Sequence, residues 1–181
     1  MHPILIQLRD DHSHIRQLLR LLVLPAPGSM DRGNLQRAAD VMRYMTGYPD
    51  QFHHPREDLM FGPLANRDAA SCDLVGRLRD EHADLGDKGL AVREALLACL
   101  EADRLVERDL AGMLRDYVAI QGAHMDLEEQ SVFPKARLVL TSEDWSGIDK
   151  LLATRPDPLF GQRVQRSFRD LREYLTRSAS E

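Results

Sequence analysis

The chain has 181 residues, of which 43% are hydrophobic and 29% charged, which is typical of a globular protein. This length is sufficient for one domain with a sizeable core and short for two. The formal net charge of −5 gives no electrostatic basis for binding nucleic acid or an anionic membrane. No apolar run approaches the ~20 residues needed to span a bilayer.

The apolar residues recur at intervals of three and four, which is the period of an α-helix, and no strand-like alternation of useful length occurs. The first predicted helix ends before the Pro- and Gly-rich stretch at 25–28. The second begins near Asp31, is disturbed at 48–49, and ends before Gly62 and Pro63.

The third predicted helix opens at Ser71, a suitable N-cap, and the fourth extends from about 103 to 139. A short helix at 142–153, capped by its own first residue, is followed by a loop at 155–158. A last helix is predicted over about 161–178.

The predicted fold class is therefore all-α. Long helices joined by short loops favour an antiparallel up-down four-helix bundle, which we expect over residues 1–140. Two additional C-terminal helices, over 141–181, are expected to pack outside its core.

The cysteines and the N-terminus predict the compartment. Cys72 and Cys99 lie roughly 40 Å apart if 71–100 is one helix with ~1.5 Å of rise per residue, so they cannot form a disulfide. The first residues are apolar only from Ile4 to Leu8 and lack a basic lead and a small-residue cleavage site, so no signal peptide is expected. Together these features favour a reducing, cytoplasmic setting.

Histidines interrupt the apolar stripes of the predicted helices. His12, His82 and His124 occupy stripe positions, and His53 falls on the extrapolated stripe of the second helix. A buried imidazole without a partner is costly, and a single one is usually a core residue with a hydrogen-bond partner. Four of them, one on each helix facing a common interior, predict a shared site.

Two glutamates extend this pattern. Glu57 follows His53 by four residues and Glu128 follows His124 by four, so each pair shares one helical face. The second set follows the first by 70 residues for the first histidines and by 71 for the second histidines and the glutamates. Two helical hairpins would therefore each supply His, His and Glu about a pseudo-two-fold axis.

Six such ligands suit two metal ions, each with two imidazoles and both bridged by the carboxylates. Imidazole and carboxylate ligands suit iron, manganese or zinc, and the lack of cysteine ligands disfavours an iron–sulfur cluster. A bridging oxide or hydroxide and a diatomic ligand could complete the coordination. The candidate metal ligands are His12, His53, Glu57, His82, His124 and Glu128.

Two other histidines lie next to this set. His54 is about 100° from His53 around the helix, and it could replace His53 if Pro55 distorts the helix. His14 lies about 200° from His12, so an outward direction is expected.

Four acidic residues adjoin the candidate ligands: Asp11, Asp58, Glu81 and Glu129. Most of them are expected to be solvated. One or two could accept a hydrogen bond from the second ring nitrogen of a ligand histidine.

Over about residues 1–140 the sequence resembles the hemerythrin-like, or HHE cation-binding, family. The resemblance implies an antiparallel four-helix bundle and a non-haem di-iron cofactor. It also implies activities such as reversible oxygen binding, oxygen or nitric oxide sensing, iron handling and repair of damaged iron centres. The motifs that carry it are Asp11-His12, His53-His54-x-x-Glu57-Asp58, Glu81-His82 and His124-x-x-x-Glu128-Glu129.

One position departs from the oxygen-carrying members of this family. They have a His-x-x-x-His pair on the third helix, whereas here Gly86 follows His82 by four residues. The resulting set of four histidines and two glutamates is most similar to the di-iron proteins that repair iron–sulfur clusters, whose extra cysteine-bearing domain is not seen here. Two near-equivalent metals are expected, with Glu81 or water beside Gly86.

The leading hypothesis is a di-iron protein that binds or reacts with oxygen, peroxide or nitric oxide, in sensing or in iron and oxidative-stress handling. A repair enzyme or a peroxide-removing enzyme could use the same site. An iron store or sensor, or a metal-free helical interaction module, are the alternatives from other classes. The expected partner is a small diatomic ligand or peroxide, with no nucleic acid and no membrane.

Overall fold

The computed structural model describes residues 1–23, 31–102, 108–152 and 156–178, and within these ranges the chain is helical without any strand. None of the helices described there is both long and apolar enough to cross a membrane. The helices are α1 Pro3–Leu22, α2 Arg32–Met45, α3 His54–Arg67, α4 Cys72–Glu101, α5 Arg108–Leu127, α6 Phe133–Val139, α7 Ser142–Leu151 and α8 Arg169–Ser178.

Four rods form the bundle: α1, α2 continued by α3, α4, and α5 continued by α6. α1 packs against α2 and α5, and α4 packs against the same two helices, so the four enclose a common interior. This arrangement confirms the predicted all-α fold class and its four-helix bundle.

Two of the rods contain a π-helical turn, at Pro49–His53 and at Glu128–Val132. In each, the backbone N–H of the following residue donates to a carbonyl five residues earlier. Pro55 and Pro134 stand two residues after the turns. Proline lacks an N–H and clashes with the carbonyl four residues before it, and a wider turn relieves both problems.

The predicted end of the second helix at Gly62 and Pro63 is wrong, because α3 continues to Arg67 with Pro63 inside it. The neighbouring side chains of Phe61 and Leu64 are completely buried. Their burial stabilises the helix by about 1.5–3 kcal/mol each, which offsets the roughly 3 kcal/mol that an internal proline costs.

Several helix ends also differ from expectation. Ser71 precedes α4, but its hydroxyl donates to Asp68 instead of capping the helix. α7 is capped by Thr141, which forms a reciprocal capping box with Asp144. The last helix begins only at Arg169, after a single 3₁₀ turn. The predicted breaker at 25–28, the start at 103 and the end at 153 lie outside the described residues.

The core has two apolar clusters, and every rod passes from one to the other at the level of the candidate ligands. Along α1, Leu8 belongs to the smaller cluster and Ile15 to the larger one, with His12 between them. Along α4, Leu78 and Leu85 flank His82 in the same way. The candidate site is therefore a polar layer between two dry layers.

The C-terminal segment packs on this bundle. Ile148 of α7 joins the smaller cluster, while Leu159, Phe168 and Leu171 join the larger one. α8 lies against α2, and α7 lies against α3. The division of the chain at 140 stays a prediction.

Candidate metal centre

All six predicted ligands meet in the polar layer, and their side chains are buried. Glu57 Oε1 lies 3.2 Å from both His12 Nε2 and His53 Nε2. Its other oxygen, Oε2, lies 3.6 Å from His82 Nε2. One carboxylate of the first hairpin therefore touches imidazoles from three rods.

Glu128 does the same from the second hairpin. Its carboxylate oxygens lie 3.4 Å from His12 Nε2, 3.6 Å from His82 Nε2 and 3.5 Å from His124 Nε2. Glu57 and Glu128 thus stand at the middle of the layer with the imidazoles around them. This is the arrangement that the sequence repeat predicts for two bridging carboxylates.

A second carboxylate faces the far nitrogen of each predicted histidine ligand. Within each hairpin, the acidic residue that precedes the first histidine in sequence accepts a hydrogen bond from the second histidine. His53 Nδ1 donates to Asp11 (3.1 Å), and His124 Nδ1 donates to Glu81 (2.9 Å). The carboxylate thereby fixes the ring and its tautomer, so that Nε2 faces the centre.

Between hairpins, the acidic residue that follows each bridging glutamate in sequence faces the first histidine of the other hairpin. His12 Nδ1 donates to Glu129 (2.8 Å), and Asp58 lies 3.4 Å from His82 Nδ1. All four acidic neighbours therefore face a histidine, although only one or two were expected to. Each also contacts an arginine; the pairs are Asp11–Arg56, Glu81–Arg77, Glu129–Arg16 and Asp58–Arg79.

The structure adds a seventh side chain to the centre. The π-helical turn at Pro49–His53 directs both His53 and His54 into the interior, so the second does not replace the first. His54 stacks on His82 with ring centroids 4.3 Å apart, and its Nδ1 lies 3.5 Å from Asp50. Regular helical spacing separates two adjacent side chains by about 100°, which is why the sequence pattern missed this pair.

The imidazoles are consequently divided three and two, and not two and two as expected. One buried group comprises His54, Glu57, His82 and His124, and the other comprises His12, His53 and Glu57. In each group the potential ligand atoms lie within 4.8 Å of one another.

Gly86 borders the larger group. Outside its own helix, the described atom nearest to a Cβ at this position would be Asp50 Oδ2, at 3.9 Å. Glu81, the carboxylate expected there, instead accepts from His124. Asp50, whose carboxylate lies 3.5 Å from His54 Nδ1, is therefore on the side of the site that Gly86 leaves open.

The donor set fits a metal ion. Within the described part of the chain, no hydrogen-bond partner meets the Nε2 atoms of His54, His82 and His124, nor three of the four carboxylate oxygens of Glu57 and Glu128. Buried polar atoms without partners are costly. Cis ligands of a small cation at ~2.1 Å lie about 3 Å apart, close to the 3.2–3.6 Å contacts seen here.

Without metal, protons would balance these charges. Burial lowers the pKa of His82, but the carboxylates of Asp58 and Glu128 outweigh it and raise the pKa to about 10. Burial raises the pKa of Glu57, but His53 and His12 outweigh it and hold the pKa well below its usual value. A metal must therefore displace protons when it enters, because imidazolium cannot coordinate.

His54 differs in this respect. Burial and the neighbouring imidazoles of His82 and His53 hold its pKa well below the ordinary value. A neutral ring whose Nδ1–H faces Asp50 would leave the lone pair on the unpartnered Nε2, as a ligand requires.

Comparison with known proteins gives one match. A family model described as the Hemerythrin HHE cation binding domain matches residues 4–136, which include all seven buried residues of the centre. Neither the curated proteins nor the solved structures contain a significant match to the chain.

Proposed function

Because the chain belongs to the hemerythrin HHE cation-binding family, we propose that it holds two iron ions and reacts with a small oxidant: oxygen, peroxide or nitric oxide. The observation that carries this proposal is the set of unpartnered imidazole nitrogens and carboxylate oxygens, buried and aimed at one another between two apolar layers. Family membership implies cation binding; the iron, its stoichiometry and the oxidant are our proposal.

The two buried groups indicate which residues would hold each ion. His12 and His53 would bind one, and His54, His82 and His124 the other, with Glu57 and Glu128 shared. Imidazole with carboxylate suits ferrous and ferric iron, and it also suits manganese and zinc. When bound, iron would supply the electrons and the open coordination positions for the oxidant.

The residues around the ions have separate tasks. The outer carboxylates orient the imidazoles, as Asp11 and Glu81 do for His53 and His124. The two apolar clusters exclude bulk water from above and below. The half with two imidazoles has fewer protein ligands, so we propose that the small molecule binds at the His12 and His53 side.

We propose that the protein acts in iron and oxidative-stress handling or in oxygen and nitric oxide sensing, in the cytoplasm. The test is stopped-flow visible absorbance of reduced, iron-loaded protein mixed with oxygen, peroxide or nitric oxide. We expect at least one of the three to change the iron absorbance rapidly. The same iron content with no spectral change under any of them would overturn the reactivity, and it would favour iron storage.

A further inference from the structure

A third group of potential ligands lies outside the centre, between α1 and the C-terminal segment. It consists of Asp11, His14 and Asp157, whose ligand atoms lie within 4.8 Å of one another. Asp11 and His14 are three residues apart on α1, and Asp157 belongs to the stretch before α8. The group therefore joins two parts of the chain that are distant in sequence.

Asp157 is held rigidly. Its Oδ1 accepts from the backbone N–H groups of Leu159 and Phe160, both at 2.7 Å. Its Oδ2 accepts from the hydroxyl of Tyr44 at 2.7 Å, and Tyr44 is completely buried. Since each carboxylate oxygen has two lone pairs, Oδ1 is fully used by the backbone, and Oδ2 keeps one lone pair for a cation while the side chain stays fixed.

His14 is held by a ring contact. Its imidazole stacks on Phe160 with centroids 4.0 Å apart and planes inclined by 2°. His14 Nδ1 is buried, and no described group forms a hydrogen bond with it. A ring fixed by stacking, with a buried unpartnered nitrogen and a ring nitrogen within 4.8 Å of two carboxylates, has the environment of a metal ligand.

Asp11 supplies the third ligand. The hydrogen bonds that the described residues His53 and Arg56 donate to it both use Oδ2 at 3.1 Å, which leaves Oδ1 for a cation. Asp11 and Asp157 bring two carboxylates together, and among the described residues Arg56 pairs with Asp11. A second carboxylate beside the first favours a cation in this position.

We propose that Asp11, His14 and Asp157 bind one divalent first-row cation, separate from the two-metal centre, with water completing its coordination. One imidazole and two carboxylates suit manganese, ferrous iron or zinc. Cis and trans ligands of such an ion lie about 3 and 4.2 Å apart, so the group would close only slightly around it. The bound cation fastens the C-terminal segment to α1.

The test is zinc titration of iron-loaded protein by isothermal calorimetry, with zinc and iron counted after desalting. We expect one retained zinc per chain in the wild type. His14→Phe keeps the stack on Phe160 but removes the nitrogen donors. Asp157→Asn keeps the Oδ1 acceptor for the backbone but removes the charge. Each should weaken zinc binding by at least about tenfold.

His2→Ala is the matched control. His2 also stacks on an aromatic ring, Trp145, and lies 3.5 Å from one carboxylate, Asp149, but it belongs to no described group of three ligands. This variant should keep the zinc. Amide exchange at 156–178 should slow on zinc addition in the wild type and in His2→Ala, and in neither site variant.

Equal zinc binding by wild type and His14→Phe would overturn the proposal, as would zinc binding that leaves amide exchange in the C-terminal segment unchanged. The iron count in the same samples reports on the central site independently. The inference does not depend on that count, so the failure of one site is distinguishable from the failure of the other.

Discussion

The two helical hairpins carry the same ligand pattern but build different halves of the centre. A shift of 71 residues maps His53 and Glu57 onto His124 and Glu128, whereas it maps His54 onto Met125. Only the first hairpin has a π-helical turn just before this position. A sequence repeat therefore gives both hairpins the same number of ligands only where the local backbone conformation is also repeated.

The same shift maps Asp50 onto Gln121. Asp50 lies beside His54, and burial raises its pKa to about 6 although His82 opposes the shift. Gln121 is buried, and neither of its amide atoms has a hydrogen-bond partner among the described residues. The two halves thus differ in the residues next to the ligands as well as in the ligands themselves.

The largest expected effect is on thermal stability, when metal is removed from the two glutamates that both halves share. Removing the metal leaves three of the four buried carboxylate oxygens of Glu57 and Glu128 without a hydrogen-bond partner among the described residues. Metal that binds only the folded state stabilises it by about 4 kcal/mol at a thousandfold excess over Kd. The metal-free protein should therefore melt well below the loaded protein in calorimetry. Equal melting temperatures would show that the bound metal is not at a buried site.

His54→Met tests the asymmetry directly, because it gives the first hairpin the residue that the second has at the matching position. Wild-type iron should show two distinct quadrupole doublets in the Mössbauer spectrum, from ions with three and two imidazoles. The variant should shift towards one doublet and bind one of the ions about 10–100-fold more weakly. His2→Met is the control. A wild type with a single doublet would refute the three-and-two division.

A smaller effect on metal affinity should distinguish Glu129, the outer carboxylate of His12, from Asp58, the outer carboxylate of His82. Glu129 accepts a hydrogen bond from His12 at 2.8 Å. The hydrogen bonds from His12 and Arg16 lower the pKa of Glu129 to about 2. Asp58 is 40% exposed and lies 3.4 Å from His82. Glu129→Gln should cost about tenfold in metal affinity, and Asp58→Asn less. The reverse order in metal titrations would contradict this account of the outer contacts.

The sequence predicts much of this molecule and fails in specific places. The helical period and the 71-residue repeat identify the bundle and bring six residues to one layer. His54 lies outside that pattern because a π-helical turn changes the angle between neighbours, and only the His-His-Pro stretch signals it. The similarity to repair proteins assumes four histidines, so the fifth imidazole weakens its basis.

The contacts of the outer carboxylates could not be predicted from the sequence, for a different reason. Asp11 and Glu81 serve histidines 42 and 43 residues away, and Glu129 serves one 117 residues away. Such pairs depend on how the hairpins pack and not on spacing along one helix. For the same reason the junction of His14 with Asp157 was not predicted, although His14 does lie outside the centre as expected.

The central claim is a pair of iron ions shared between two hairpins through Glu57 and Glu128. Elemental analysis of protein expressed with ample iron tests it most directly, with Glu57→Ala beside the wild type. Glu57 lies within 3.6 Å of histidines from three rods. The account predicts two iron ions per wild-type chain and loss of both in the variant. Less than about one ion per wild-type chain, or an unchanged count in Glu57→Ala, would contradict it.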